Sequence, residues 1–334
     1  MKIDGGVMGF DLSKVPARAK ALEELGVDGI MSAEVSNDPF LPLCLAAEHT
    51  ERVRLQTSIA VAFARNPMLL AQMGHDLNAY SKGRFTLGLV SQIKPHITRR
   101  FSMPWSKPAA RMRELILAMR SVWDCWYDGK PLEFEGDFYT HTLMTPMFTP
   151  PNRDYGAPDV WLAGVGPLMT EVAGEVADGL IAHAFTTPKY MDEVTMPALR
   201  KGLEKSGRSR EDFAVVCPIF TVTGADEQQM KNNHTAVTRQ IAFYASTPAY
   251  RPVLELHGWG DIGKELTRMS KQGKWEEMGT LITDDVLAEF AVVGTPDEVV
   301  KGLRERYPHV DRTVFSFEFL PKDQQRDVLA RLQA

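Results

Sequence analysis

Residues Lys82–Trp105 read KGRFTLGLVSQIKPHITRRFSMPW and join a short apolar segment to a long polar one. Arg84–Val90 predicts a buried strand, because apolar residues fill it and Gly83 marks its start. About seventeen residues then pass before the next helical pattern, whereas a strand-to-helix loop usually takes about two to six. The loop carries these polar and aromatic side chains: Gln92, Lys94, His96, Arg99, Arg100 and Trp105. Such a loop after a strand is where an α/β protein holds a ligand; a solvated surface excursion is the alternative.

The composition is that of an ordinary globular protein. The chain has 334 residues, of which 44% are hydrophobic and 24% charged. Its net charge of −5 gives no electrostatic basis for binding nucleic acid or an acidic membrane surface. The basic cluster at Arg99 and Arg100 is local, so it suits a small anionic ligand better than a polymer. The sequence therefore predicts a small-molecule partner.

The cysteines and the N-terminus exclude other classes. Cys44, Cys125 and Cys217 are odd in number and far apart, and no CxxC or His/Cys metal spacing occurs, so neither a disulfide framework nor a metal site is expected. The N-terminal MKIDGGVMGF lacks the apolar core of a signal peptide, and no run of eighteen apolar residues exists. We expect a cytoplasmic protein without a membrane span.

Strand and helix patterns alternate about eight times without a break in composition. The predicted strands are Ile3–Met8, Gly29–Glu34, Val53–Val61, Arg84–Val90, Pro158–Val165, Gly179–Phe185, Phe213–Thr223 and Arg312–Phe319. Eight such units predict a closed (β/α)₈ TIM barrel rather than an open doubly wound sheet. We expect one domain over residues 1–334, with a helical insertion at roughly 250–280 before the eighth strand. A hairpin-like excursion is expected in GKPLEFEGDFYTHTL, from Gly129 to Leu143.

In such a barrel the ligand site lies at the carboxyl ends of the strands. The strand ends are Met8 and Gly9, Glu34, Ser58–Ala60, Val90–Gln92, Gly164–Gly166, and His183. His183 is the best-placed candidate for proton transfer, and a satisfied core histidine is the alternative. Glu34 is a second candidate, because a buried carboxylate is costly without a purpose; its alternative is a charge paired with an arginine.

Gly164 and Gly166 follow a strand and precede a helix, in WLAGVGPLMTEVAGEVADG. Free backbone N–H groups there can hold a phosphate, and an ordinary tight turn is the alternative. The match to a dinucleotide fingerprint is poor, because no third glycine follows at the right place. The sequence has no Ser–His–Asp spacing, nucleophile elbow or clustered metal ligands, so nothing supports hydrolysis by those routes.

Five motifs in order resemble the bacterial luciferase-like superfamily, and in particular its actinobacterial-type oxidoreductases that depend on the deazaflavin coenzyme F420. They are TSIAVAFARNPMLLAQ (Thr57–Gln72), GRFTLGL (Gly83–Leu89), SQIKPHITRRFSMPWSKPAARMRE (Ser91–Glu114), VWLAGVGPLMTEVAGEVADG (Val160–Gly179) and FAVVGTPDEVVKGL (Phe290–Leu303). The resemblance implies a barrel that binds a flavin-like ring at its open end, a homodimer, and a non-prolyl cis peptide at Ser58–Ile59.

The strand ends, the chemistry of the loop residues and the resemblance together give the candidate site residues. The cofactor-binding candidates are Ser58, Ile59, Ala60, Val90, Ser91, Gln92, His96, Gly164, Val165 and Gly166, with the last three and Ser91–Gln92 at the phosphate. Glu34 or His183 would transfer the proton. Met8, Trp105 and Phe185 are the candidates for substrate contact. Arg99 and Arg100, together with His96, would meet an anionic part of the cofactor or substrate, or form a solvated charged loop.

Two departures from the family pattern affect these expectations. Relatives commonly have Gly-Thr-Gln where this chain has Val90-Ser91-Gln92, and a branched side chain narrows the room beside the backbone. Sugar-phosphate dehydrogenases of the family carry an acid followed by histidine where this chain has Glu34-Val35, which argues against sugar-phosphate oxidation. The leading hypothesis is F420-dependent hydride transfer. An FMN-dependent monooxygenase of the same superfamily and a non-catalytic flavin-binding protein are the alternatives.

Overall fold

Parallel strands and flanking helices build the protein in a computed structural model, which describes residues 1–9 and 11–334. The strands in chain order are β1 (Lys2–Gly6), β2 (Gly29–Ser32), β3 (Arg54–Thr57), β4 (Ala60–Val61), β5 (Phe85–Val90), β6 (Phe134–Glu135), β7 (Thr140–His141), β8 (Asp159–Gly164), β9 (Gly179–Ala182), β10 (Ala214–Val216), β11 (Phe220–Val222), β12 (Ala291–Val293) and β13 (Arg312–Val314).

The helices lie between or after these strands, and four of them follow one another between β11 and β12. The helices are α1 (Val15–Leu25), α2 (Phe40–His49), α3 (Pro67–Tyr80), α4 (Pro108–Asp128), α5 (Pro167–Val176), α6 (Pro188–Tyr190), α7 (Met196–Ser206), α8 (Glu227–Ala245), α9 (Arg251–Leu256), α10 (Gly260–Lys271), α11 (Asp284–Phe290), α12 (Pro296–Arg306) and α13 (Lys322–Gln333). Within residues 1–9 and 11–334, none of them combines the length and the apolar character that crossing a membrane requires.

The barrel sheet has the hydrogen-bonded order β3-β2-β1-β13-β10-β9-β8-β5-β4, and β3 also pairs with β5, which closes the ring. The register is parallel: Gly29 lies opposite Arg54, and Leu55 lies opposite Phe85. The predicted (β/α)₈ barrel is therefore confirmed. Because the strands are parallel, the residues that follow each strand share one end of the barrel.

Local sequence signals explain the helix boundaries near the site. The Asn66 side chain accepts the Met68 N–H and caps α3, whose first residue is Pro67. Helix α4 buries one apolar face that includes Trp123 and Trp126, as its amphipathic pattern predicts.

The chain divides into two compact units. The first unit comprises residues 4–181 and 198–214, and the second comprises residues 1–3, 182–197 and 215–334. The first unit contains β2 to β8 and the long loop after β5. The second unit has its own hydrophobic cluster, whose members include Phe185, Tyr190, Phe220, Leu254, Leu266 and Phe290.

Two predicted strands are divided in the structure. The third covers β3 and β4, with Ser58 and Ile59 between them. The seventh covers β10 and β11, and Pro218 lies in the gap, where a residue without an N–H cannot continue the ladder. β11 instead forms a separate two-stranded parallel sheet with β12, which the sequence pattern does not predict. The predicted hairpin is confirmed by the antiparallel pairing of Phe134 with His141.

Gly88 marks a close approach between β5 and β3. A Cβ at this position would lie 1.9 Å from the Thr57 carbonyl oxygen, closer than any side chain permits. The Thr57 hydroxyl accepts the Gly88 N–H at 2.8 Å and donates to the Gly88 carbonyl at 2.8 Å. Thr57 and Gly88 are both fully enclosed in the barrel, so neither backbone segment has room to move aside.

We expect Gly88→Ala to lower the free energy of unfolding by about 3 kcal/mol, because the added methyl group overpacks a rigid junction. The matched control is Gly166→Ala, since a Cβ at Gly166 meets no atom within 4 Å. Urea denaturation followed by circular dichroism measures both. Equal stability of the two variants would contradict the close approach.

Candidate functional site

A buried ion pair joins the end of β2 to the chain after β4. Glu34 follows β2, and its Oε2 accepts the Val61 N–H at 2.8 Å and an Arg65 Nη1–H at 2.6 Å. Only 7% of the Glu34 side chain and 16% of the Arg65 side chain are exposed. Arg65 also reaches Asp38 at 3.3 Å. The structure thus places Glu34 in an ion pair with an arginine, which was the alternative to a role in proton transfer. The other carboxylate oxygen of Glu34, Oε1, accepts no hydrogen bond from residues 1–9 or 11–334.

The Ser58–Ile59 peptide between β3 and β4 is cis, as the family resemblance implies. The Ser58 N–H donates to the Ser32 carbonyl at 2.7 Å, and the Ile59 carbonyl accepts the Glu34 N–H at 2.9 Å. Ala60 is fully buried, whereas Ser58 and Ile59 keep part of their surface open. These bonds continue the pairing of β2 with its neighbour beyond the end of both strands.

Arg111 is a buried cation on the apolar face of α4. Its guanidinium lies 4.6 Å from the Phe63 ring centre, donates to the Tyr139 hydroxyl at 2.9 Å, and donates to the Pro104 carbonyl at 2.7 Å. Trp105 packs edge-on against Phe63, with ring centres 5.7 Å apart. Arg111 is 7% exposed, and no carboxylate of the described chain pairs with it. Its Nη2 has no hydrogen-bond partner there and is not enclosed by protein, so it is an open donor.

Arg111 is not among the sequence-predicted site residues, although the sequence of α4 carries a signal for it. Arg111, Leu115 and Met119 are spaced four residues apart in α4, so they share one face of the helix, and both apolar members are fully buried. A cation on an otherwise apolar face requires a partner. Here the partners are aromatic rings and a carbonyl oxygen rather than an acid.

A few contacts hold the long loop after β5 in place, and its charged side chains are exposed to solvent. A π-helical turn covers His96–Arg100, and Ile97 within it is fully buried. Arg100 donates to the Val35 carbonyl at 2.6 Å. His96 and Arg99 are exposed, and within the described chain the His96 side chain makes no hydrogen bond. The loop is therefore fixed in place, and the charges of His96 and Arg99 face solvent.

At the start of this loop, Val90 is half-buried and lies opposite Val61. Ser91 donates its hydroxyl proton to the Gln92 carbonyl, and the Gln92 side-chain oxygen accepts the Ile93 N–H. Gln92 has a φ of 62°, in the left-handed region. Hydrogen bonds of the Ser91 and Gln92 side chains therefore stabilise this turn. At the end of β1, Met8 is half-buried.

Gly164–Gly166 ends β8 and begins α5. Gly166 caps the helix, Pro167 is its first residue, and the Gly166 carbonyl accepts both the N–H and the hydroxyl of Thr170. A Cβ at Gly166 would meet nothing within 4 Å, so the space beside it is open. The first N–H groups of a helix have no partner within it and attract anions.

His183 and Phe185 lie in the second unit, after β9. The His183 ring is half-buried, with its centre 4.6 Å from the ring centres of both Tyr244 and Tyr250. Burial lowers the pKa of His183 to about 4, so the ring is neutral at physiological pH. Phe185 is fully buried and stacks on Phe290 at 4.6 Å, which places it in the hydrophobic cluster.

A family model described as luciferase-like monooxygenase matches residues 2–310. The chain belongs to this family. An uncharacterized protein of Mycobacterium tuberculosis is 55% identical over 306 residues, which cover 92% of this chain and 90% of that protein. A putative coenzyme F420-dependent oxidoreductase of the same organism is 28% identical over 300 residues, covering 85% of this chain and 84% of the relative.

The fold of this luciferase-like protein is shared with a solved F420-dependent enzyme. The coenzyme F420-dependent tetrahydromethanopterin reductase from Methanopyrus kandleri superposes with a TM-score of 0.79, covering 98% of this chain and 96% of the other, at 20% sequence identity. At that identity the likeness establishes the barrel alone.

The ion pair at the end of β2 should be tested by a double-mutant cycle. We expect Arg65→Met to lower the free energy of unfolding by about 2–3 kcal/mol, because it leaves the Glu34 carboxylate buried without its cation. Adding Glu34→Gln should recover part of that loss. Chemical denaturation of the four proteins measures the coupling.

The exposed pair Lys264–Asp261 is the control, since solvent screens it and its removal should leave stability unchanged. If the Glu34 and Arg65 substitutions proved additive, the two side chains would not be coupled, and the ion pair could not join β2 to the chain after β4.

Proposed function

We propose that this luciferase-like protein is an oxidoreductase that passes a hydride between coenzyme F420 and a small organic substrate. The observation that carries the proposal is the turn at the N-terminus of α5, where the space beside Gly166 is open. Arg111, with its open donor, is a second candidate group for an anion in the first unit. The relative that is described as F420-dependent, matched over most of both chains, supports the choice of cofactor.

These residues fit a phosphate-bearing cofactor. Gly164, Val165 and Gly166 would hold a phosphate through backbone N–H groups, because no side chain fills the space beside Gly166. Arg111 would offer a charge-assisted hydrogen bond from Nη2 to an anionic part of the cofactor or substrate. Ser91 and Gln92 would hold the cofactor from the loop after β5. When bound, F420 supplies a ring carbon that accepts or gives the hydride.

The protein's own side chains would orient the cofactor ring, exclude water and transfer the proton. Trp105, backed by Phe63, would exclude water from the reacting groups. Ser58, Ile59 and Ala60 would support the ring, while Glu34 keeps their segment attached to β2. For proton transfer, Glu34 would use its unbonded Oε1.

Two alternative functions are each supported by one observation. The family's description as luciferase-like monooxygenase supports FMN and oxygen chemistry. Val90, where the family resemblance predicts glycine, supports a flavin-binding protein without catalysis, because its side chain occupies room beside the backbone.

Fluorescence titration with F420 and, in parallel, with FMN separates these functions. The proposal predicts micromolar binding of F420, little binding of FMN, and turnover of a substrate from a broad carbonyl and enone panel. The reverse affinity order would support the monooxygenase. Tight binding without turnover would support the non-catalytic protein, and binding of neither cofactor would contradict all three functions.

Gly166→Val should weaken F420 binding at least tenfold, because the branched side chain would fill the open space beside the helix N-terminus. Gly260→Val is the matched control, since Gly260 begins α10 in the second unit. The same titration measures both, with thermal unfolding to confirm folding. Unchanged affinity in Gly166→Val would remove this turn from the site.

We also propose that the protein is a homodimer that uses the outer face of α2 and α3. Leu41 and Leu69 are 55% and 53% exposed on these packed helices. Tyr80 of α3 lines a groove of about 940 Å³ together with Met147 and Phe148, which are 87% and 65% exposed. Large apolar side chains exposed on one helix pair and beside a groove are typical of an interface between protein chains.

Sedimentation velocity tests this assembly. The wild-type chain should sediment as a dimer, and the double change Leu69→Glu and Phe148→Glu should shift it toward a monomer, because each charge would be buried without a partner. Trp275→Glu is the control, since Trp275 is 50% exposed in the second unit. A monomeric wild type would contradict the dimer, and an unaffected dimer would contradict this face.

A further inference from the structure

The His183 ring is held in one tautomer by the backbone. Its Nδ1 lies 3.0 Å from the Phe185 nitrogen and accepts the N–H. A backbone N–H can only donate, so Nδ1 carries no proton. The neutral ring must therefore carry its proton on Nε2.

The groups around this ring are uncharged. Tyr244 and Tyr250 face it, and the Cys217 thiol points to the His183 carbonyl at 4.0 Å. Burial raises the pKa of Tyr250 and of Cys217 to about 12, so both keep their protons at neutral pH. Within the described chain no charged side chain pairs with the ring.

The Nε2–H is available to a ligand. Within residues 1–9 and 11–334 it has no hydrogen-bond partner, and it is not among the polar atoms that the protein encloses without one. A neutral donor that is fixed in direction and flanked by two aromatic rings suits a planar or apolar molecule with one acceptor atom. It suits a carboxylate or phosphate poorly, because no cation balances the charge.

We propose that His183 donates its Nε2–H to a carbonyl oxygen of the substrate, and that the substrate is an uncharged ketone, aldehyde or enone whose apolar part packs on Tyr244 and Tyr250. This rests on the proposed hydride-transfer function. It differs from the proton-transfer role for which the sequence singles out His183, because Nδ1 is already occupied and the ring stays neutral.

In the direction of reduction, the carbonyl carbon would gain a hydride from the reduced deazaflavin, the C=O π bond would break, and its electron pair would go to oxygen. That oxygen would take a proton from the proton-transfer group to give the alcohol, and the oxidised deazaflavin would release one proton, which restores that group. The Nε2–H stabilises the negative charge that develops on oxygen, as donors do in an oxyanion hole.

Long-range ¹H–¹⁵N NMR of histidine-labelled, cofactor-free protein tests the tautomer directly. The result expected is an unprotonated Nδ1 and a protonated Nε2 in His183, unchanged from pH 8 to pH 6. Detection of the Nδ1–H tautomer, or of an imidazolium at pH 6, would overturn the proposal. His183→Gln, whose signals are absent, assigns the resonances.

Kinetics with F420 and a panel of uncharged carbonyl compounds tests the role. His183→Leu should lower kcat about 100-fold, since an oxyanion-hole donor contributes about that much, and His183→Gln, which keeps an amide donor, should recover part of it. Wild-type kcat should be flat from pH 6 to pH 8. An unaffected His183→Leu enzyme, or activity that rises as pH falls through 6.5, would overturn the role.

Binding and NMR measurements together distinguish failure of the proposed function from failure of the proposed role of His183. If F420 does not bind the wild type, the proposed function fails while the NMR result still decides the tautomer. If F420 binds but no uncharged carbonyl compound is turned over, the substrate class is overturned. F420 affinity should be unchanged in His183→Leu, and thermal unfolding confirms that the variant is folded.

Discussion

One carboxylate oxygen, Glu34 Oε2, holds together the end of β2 and the chain that follows β4. It accepts the Val61 N–H and an Arg65 N–H in a nearly closed environment. Phe63 lies two residues after Val61 and supports the Arg111 guanidinium. Arg111 in turn bonds the Pro104 carbonyl, beside Trp105. The position of the long loop after β5 therefore depends, through a short series of contacts, on this single carboxylate.

Most of the fold follows from the order of apolar patterns along the chain. Strand and helix periods alternate, and a parallel sheet with short connections closes into a barrel when eight such units are present. The predicted seventh strand is wrong in two respects, and tertiary structure explains both. Pro218 divides this run of β-forming residues into β10 and β11, and β11 pairs with the distant β12. A pairing between segments about seventy residues apart leaves no local signal, so no period along the chain can reveal it.

The candidate site is less accessible to sequence reasoning. The ends of strands identify Glu34, Gly166 and His183 as candidates, because ligands of parallel barrels bind at the carboxyl ends of strands. Arg111 is missed because arginine in an amphipathic helix usually faces water, and only the structure gives it aromatic partners. The position that needs a glycine also differs from the one that the sequence suggests. The family pattern points to Val90, whereas the backbone approaches β3 closely at Gly88. The tautomer of His183 depends on one backbone N–H and has no counterpart in the residue order.

Hydrogen–deuterium exchange with and without F420 tests the central claim, that the strand ends of the first unit form a prebuilt cofactor site. Saturating F420 should slow exchange in three segments, at residues 58–65, 91–105 and 164–170, because ligand contacts suppress local opening there. FMN at the same concentration should produce a smaller effect. Protection confined to other segments, or none at all despite measured binding, would contradict this account.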